Sequence, residues 1–313
     1  MYFPYLRGRQ SELNALTSIS PEIGADQRVI PIIEPIDKDI TQLLKALKAY
    51  NFYKIPYVLI VNPQVGVVKD YLGHIESQID SGKLQIEGQA SLGYLIHPGS
   101  KLQDVRAFLK KYGGRRLSFI HDHSLKDVGK LVELMESNKN ISHQIFLDGR
   151  TEHSYQEAFT GHSRVLIQDS FNKAATNADF PPDELFSDLH LRYKKLGFNG
   201  FGDFTITGKK YIKGGLPYAV AIHLTYYNSP REALRIKHFI SDRTATRDDL
   251  GGKFIEALVK LIEFLNENPH IETGACKEFR SLYAQERFPG LPEIKYLSIK
   301  HHLQLLLGLV KMK

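Results

Sequence analysis

The chain has 313 residues, 42% of them hydrophobic and 24% charged, a balance that supports a full buried core and excludes disordered and fibrous classes. Its formal charge of +6 is a mild cationic excess spread along the chain, which favours phosphorylated or nucleic-acid partners through long-range attraction, although a plain solvated basic surface has the same composition. One cysteine, Cys276, excludes an internal disulfide, and no apolar leader follows MYFPYLRGRQ, so a cytoplasmic location is expected.

In chain order, short apolar runs rich in β-branched and aromatic residues alternate with amphipathic stretches, the rhythm of βα units and a parallel sheet. Tyr2 to Leu6 (YFPYL) precedes a helical spacing over Ser11 to Ser18, and Val29 to Ile36 (VIPIIEPI) precedes one over Ile40 to Tyr50. Pro56 to Pro63 leads into Lys69 to Asp80, Ser91 to Pro98 into Leu102 to Tyr112, and Arg116 to Asp122 into Leu125 to Ser137. His143 to Gly149 is followed by His153 to Thr160, then come Arg164 to Asp169 and an eighth run, Gly200 to Thr207. Apolar residues at three- and four-residue spacing, such as Val105, Phe108 and Leu109, fit helices laid on an outer wall. Near-continuous apolar strands fit burial on both faces. The expected fold is a (β/α)8 TIM-barrel-like unit over residues 1–215. An open doubly wound sheet is the runner-up, because period alone does not distinguish closure.

Between the seventh and eighth runs, Phe171 to Gly197 is long for a barrel loop and reads as a candidate lid with a helical stretch near Glu184 to Leu196. Residues 216–313 read as an extension packed on the barrel: two antiparallel strands, Tyr218 to Tyr227 and Arg235 to Asp242, then helices. The first of these, capped near Asp248, carries Phe254, Leu258, Leu261 and Leu265 as one stripe, and the last covers about Glu293 to Val310. Leu303 to Val310 is far shorter than the roughly 20 residues a membrane span needs, so it reads as a buried or partner-facing segment.

Catalytic groups of parallel barrels project from the carboxyl ends of the strands. Here those ends carry Arg7 and Arg9, Glu34, Asn62, His97, His121 with His123, Asp148 with Arg150, Asp169 and Asp203. Helix capping accounts for some of that coincidence. His121 and His123, two apart, would share a face and suit a divalent metal, though the ligand set is incomplete and one satisfied plus one solvated histidine is the plainer reading. Asp148 and Arg150 either grip a polar substrate or neutralise each other. Glu34, between apolar neighbours, suits acid or base duty, or else a salt bridge to Arg7 or Arg9. Lys209, Lys210, Lys213 and Gly214-Gly215 follow the eighth strand, where barrels often hold phosphate, and also fit a basic turn. His223 is a polar residue in an otherwise strand-like run, its face undecided. Walker A, GxSxG, HExxH, zinc-finger and helix-opening GxGxxG patterns are missing, which removes support for P-loop and hydride-transfer chemistry.

With YFPYLRGRQSELNAL, PIIEPI, GFGDFTI and AIHLTYY in the same order along Tyr2 to Asp242, the chain resembles the bacterial and phage beta protein family. That resemblance implies a barrel without a settled activity, marks Arg9, Glu12, Glu34, Asp203 and His223 as motif positions, and implies a companion gene product and a role in phage defence.

Two functions follow as expectations. One is an enzyme, such as a phosphodiester hydrolase, taking a phosphate-bearing or nucleotide-like ligand at the strand ends with Glu34, Asp148, Asp169 and Asp203 as acids, Arg7, Arg9, Asn62, His97, Arg150 and His223 as binding groups, and an optional divalent metal. The other is a non-catalytic scaffold that binds a protein or nucleic acid, motivated by the apolar last helix and the positive charge.

Overall fold

A computed structural model describes residues 1–71, 73–211 and 215–312. Its strands are β1 (Tyr5–Leu6), β2 (Ile32–Ile33), β3 (Val58–Ile60), β4 (Ser91–Ile96), β5 (Leu117–His121), β6 (Ile141–Leu147), β7 (Arg164–Gln168), β8 (Asp183–Ser187), β9 (Gly200–Asp203), β10 (Ala221–Tyr226) and β11 (Leu234–Ile240). Eight of them, β1 to β7 and β9, pair in sequence order with every ladder parallel. The sheet closes on itself where Phe3 N–H donates to Phe201 O (2.8 Å) and Phe201 N–H to Met1 O (3.1 Å). Gly202 permits that approach: a Cβ there would sit 1.9 Å from the Phe3 carbonyl oxygen. The fold is therefore a (β/α)8 barrel, and the open-sheet alternative falls.

Side chains two apart on a strand share a face, and that rule sorts the barrel. Phe3 and Tyr5, Ile30 and Ile32, Val58 and Ile60, Ile145 and Leu147, Val165 and Ile167 fill the interior with Leu95, Ile120 and Phe204. The intervening residues, such as Leu59, Phe119, Phe146 and Leu166, face the helix layer. That layer includes α1 (Gln10–Ser18), α2 (Ser20–Asp26), α3 (Thr41–Phe52), α4 (His74–Asp80), α5 (Leu102–Tyr112), α6 (Val128–Glu136) and α7 (His153–Glu157). In α5 the buried residues are Val105, Phe108, Leu109 and Tyr112, the stripe its spacing predicts.

The expected helix near Glu184 to Leu196 is mostly something else. Asp183–Ser187 is β8, which pairs antiparallel with β11, so the side sheet runs β10-β11-β8, and only Leu189–Arg192 is helical (α8). The segment DELFS carries no in-and-out alternation of burial; its acids Asp183 and Glu184 pair with Arg235 and His238 of β11. The long connection is thereby pinned into a sheet rather than hanging as a lid, and that sheet draws strands from both sides of residue 215.

After β11, α9 (Leu250–Glu267) is capped by Asp249, one residue beyond the expected cap, whose carboxylate accepts from Gly252 N–H. Phe254, Leu258, Leu261 and Leu265 of its stripe are buried. Then follow α10 (Gly274–Ala284) and α11 (Leu291–Lys311). The apolar run of α11 is buried against α1, α10 and β10, each leucine contributing roughly 2 kcal/mol. Those side chains belong to the core, which removes the observation that motivated a scaffold surface there. Among the described residues no helix is long and apolar enough to cross a membrane.

Candidate functional site

The chain leaves β1 through Arg7, turns at Gly8 with φ +64°, and enters α1. Glu12, buried in the first turn of that helix, accepts the backbone N–H groups of Arg7 and Arg9, both at 3.0 Å. This anchors the opening loop and aims Arg7 over the barrel. Arg7 pairs with Glu34 at the end of β2 and donates to Lys209 O at 2.7 Å. Glu34 also receives the Tyr5 hydroxyl (2.6 Å) and Gln64 N–H (2.8 Å). Both of its oxygens are therefore engaged by the protein, and Tyr5 stays neutral because burial and then the adjacent Glu34 push its pKa well up.

Above this closed pair lies a cavity of 610 Å³ at the carboxyl ends of the strands, lined among others by Asp122, Arg150, Asp169, Lys69, Lys209 and Lys210. Asp122 is gripped by Arg150 (2.8 Å) and by the Lys209 ammonium. Asp169 accepts Lys209 N–H at 3.0 Å. Partial desolvation raises its pKa, against the opposing pull of the Lys209 N–H, the Lys209 ammonium and Arg7. With Arg7 and Glu34, five cations and three carboxylates line the space, so it carries a net positive charge suited to an anion.

Of the expected site residues, Arg7, Glu34, Arg150 and Asp169 line this cavity. Asn62 is used inside the barrel wall, donating to Leu95 O (2.9 Å) and accepting Leu95 N–H (2.8 Å). His97 accepts Gly99 N–H at 3.2 Å, and its pKa is lowered by desolvation. Asp148 is exposed and does not line the cavity.

Strand parity corrects three assignments. His121 points outward, stacked on Phe146 and bonded to Gln144 (2.8 Å) and Tyr155 (3.0 Å), while His123 is exposed in the following loop, so the two do not converge. The residue between them, Asp122, shares the inward face of Ile120 and is the one in the cavity. Among the described residues no group of three or more His, Cys, Asp or Glu is placed to hold a metal. Asp203 likewise points away from the mouth: its Oδ1 accepts the Tyr2 hydroxyl (2.9 Å) and Thr205 N–H (2.8 Å) and lies 3.1 Å from His302 Nε2 of α11.

Arg9 and His223 belong to a separate cavity of 470 Å³ beside the barrel. Arg9 sits over the Tyr211 ring, 4.6 Å from its centroid. His223, partly buried, lies against the rings of Phe171 and Phe180, with its Nδ1 2.6 Å from His238 Nδ1. Of the basic turn, Lys209 and Lys210 line the mouth, Gly215 lines the side cavity, and Lys213 and Gly214 fall outside the described residues. Sequence reasoning missed Asp122, which period-two counting from Ile120 would have found, and Lys69, which a single 3-10 turn (Val68–Asp70) delivers without any local signal.

Set against known proteins, the chain matches no protein-family model and no curated protein.

Proposed function

We propose that the barrel mouth binds a phosphate-bearing, nucleotide-like ligand and hydrolyses a phosphodiester bond. The observation that carries this reading is the net-cationic cavity at the carboxyl ends of the strands, in which Asp169 is a carboxylate with a raised pKa facing cations. Arg150, Lys209 and Lys210 neutralise phosphate oxygens. Asp169 accepts a proton from the attacking water as its oxygen bonds to phosphorus, then returns it to the alkoxide released when the ester P–O bond breaks. Glu34 holds Arg7 in place and does not itself transfer protons, since every oxygen it has is occupied. The resemblance to the beta protein family supports a role in phage defence with a companion protein.

The test pairs calorimetric titration of a nucleoside 5′-monophosphate with hydrolysis of bis(p-nitrophenyl) phosphate, both with and without added magnesium or manganese. Lys209→Met is expected to weaken binding about ten-fold, and Asp169→Asn to abolish turnover while keeping affinity. Unchanged affinity in the first variant removes the phosphate site, and unchanged turnover in the second removes the assignment of Asp169.

A further inference from the structure

We propose that the cavity beside the barrel is a second ligand site, for a small organic anion with one phosphate or carboxylate head on an apolar or aromatic body. Three separate parts of the chain each deliver a cation to it: Arg9 just before α1, Lys173 in the connection after β7, and Lys295 on α11. Phe171, Phe180, Ile206 and Ile294 form its apolar wall, and 470 Å³ lies within the range of small-molecule pockets.

Among the described residues that line the cavity there is no acid, so its lining is cationic. Among the described residues neither Lys173 nor Lys295 makes an ion pair, and the charged or titratable groups felt by Lys295 are Arg9, Glu12 and Lys173, with His223 facing it from β10. Glu12 is the one acid of the set; it acts on Lys295 against Arg9 and Lys173, while one of its oxygens holds the N–H groups of Arg7 and Arg9. His223 adds no counter-charge, since burial and then His238 hold it neutral. Burial first, then Arg9 and, more weakly, Lys173, against the opposing Glu12, lower Lys295 to about 8. A bound anion relieves that repulsion, and the aromatic wall accepts the remainder of the molecule. This inference stands independently of the reading of the barrel mouth, whose residues Asp122, Arg150 and Asp169 line a different cavity.

The test is calorimetric titration of the full chain at pH 7 and low salt with phenyl phosphate, benzoate, inorganic phosphate and phenol. Phenyl phosphate or benzoate is expected to bind at least ten-fold more tightly than phenol, and the stronger of the two identifies the head group. With Lys209→Met present in every protein, so that the phosphate contact of the mouth is weakened throughout, the aromatic anions are expected still to bind, and adding Lys173→Met and Lys295→Met, which keep both aliphatic stems, is expected to cost at least ten-fold. Phe180→Ala is expected to weaken phenyl phosphate more than inorganic phosphate. The proposal is overturned if neither aromatic anion binds, if adding the double substitution leaves affinity unchanged, or if Lys209→Met alone abolishes binding of both aromatic anions, which assigns all of it to the mouth. Should the double variant fail to fold, Lys173→Met alone, at an exposed position, must still weaken binding about three-fold or the site is rejected.

Discussion

Arg7 and Glu34 face each other across the ends of the first two barrel strands as a closed pair, with the Tyr5 hydroxyl and Gln64 N–H completing the carboxylate. Both side chains are buried. Removing one partner leaves the other charge without compensation, so Glu34→Gln is expected to cost about 3 to 5 kcal/mol in urea unfolding. Tyr5→Phe, which deletes one hydrogen bond to the same carboxylate, is expected to cost about 1 kcal/mol. Full stability in Glu34→Gln contradicts the structural role given to the pair.

Asp169 has the opposite signature. Its folded pKa is raised, chiefly by desolvation, so its stabilising contribution is present below the ordinary carboxylate range and is lost as pH rises through the raised value. Once ionised, its carboxylate is less favourable in the fold than in the unfolded chain. Asp169→Asn is therefore expected to melt no lower than the parent at pH 7 while losing phosphodiester turnover. The acid limb of the parent's pH–rate profile, which reports the group that must be ionised, should sit above the usual carboxylate range.

His121 supplies a test at acid pH. Burial lowers its pKa to about 4 from 6.5, with the Gln144 bond opposing, so the unfolded chain binds the proton first as pH falls. Stability present above pH 6.5 should drain away between there and about 4, on the order of 2 to 3 kcal/mol from this residue. His121→Gln, whatever its absolute stability, should show a flatter dependence across that window. Zinc titration of parent and variant should be indistinguishable; a loss of zinc affinity in the variant restores the metal-ligand reading.

Asp203 ties Tyr2, Thr205 and His302 together through one oxygen, and thereby the start of the chain to the last helix. Asp203→Ala leaves these buried partners unsatisfied and is expected to cost about 2 to 4 kcal/mol. Affinity for ligands of the mouth, measured below the variant's melting temperature, should change less than two-fold.

Lys295→Met should raise stability at pH 7 by about 1 to 2 kcal/mol, a figure discounted for the solvent that reaches the ammonium. Since the folded pKa is lowered to about 8, the parent itself gains stability as pH rises from there toward the ordinary lysine value. The advantage of the variant should shrink over the same interval. Thermal melts of both proteins between pH 7 and 10.5 check the crossing of these trends.

The run of alternating apolar strands and amphipathic helices carried the barrel, because periodicities of two and 3.6 are written in local sequence and require only that one face be buried. The same residues marked Arg7, Glu34, Arg150 and Asp169 at the mouth, since strand ends in such barrels share one rim. Face was the point of failure. A one-residue difference in parity separates inward Asp122 from outward His121, and strand limits read from composition are not sharp enough to choose between them. Asp203 looked like a rim acid for the same reason, although its partner His302 lies 99 positions away. Nothing local near Asp183 signals a third strand either, because β8 is defined by its pairing with β11. The convergence of Arg9, Lys173 and Lys295 on one cavity is likewise a property of how α11 packs beside α1, a contact between the two ends of the chain that only the folded structure brings together.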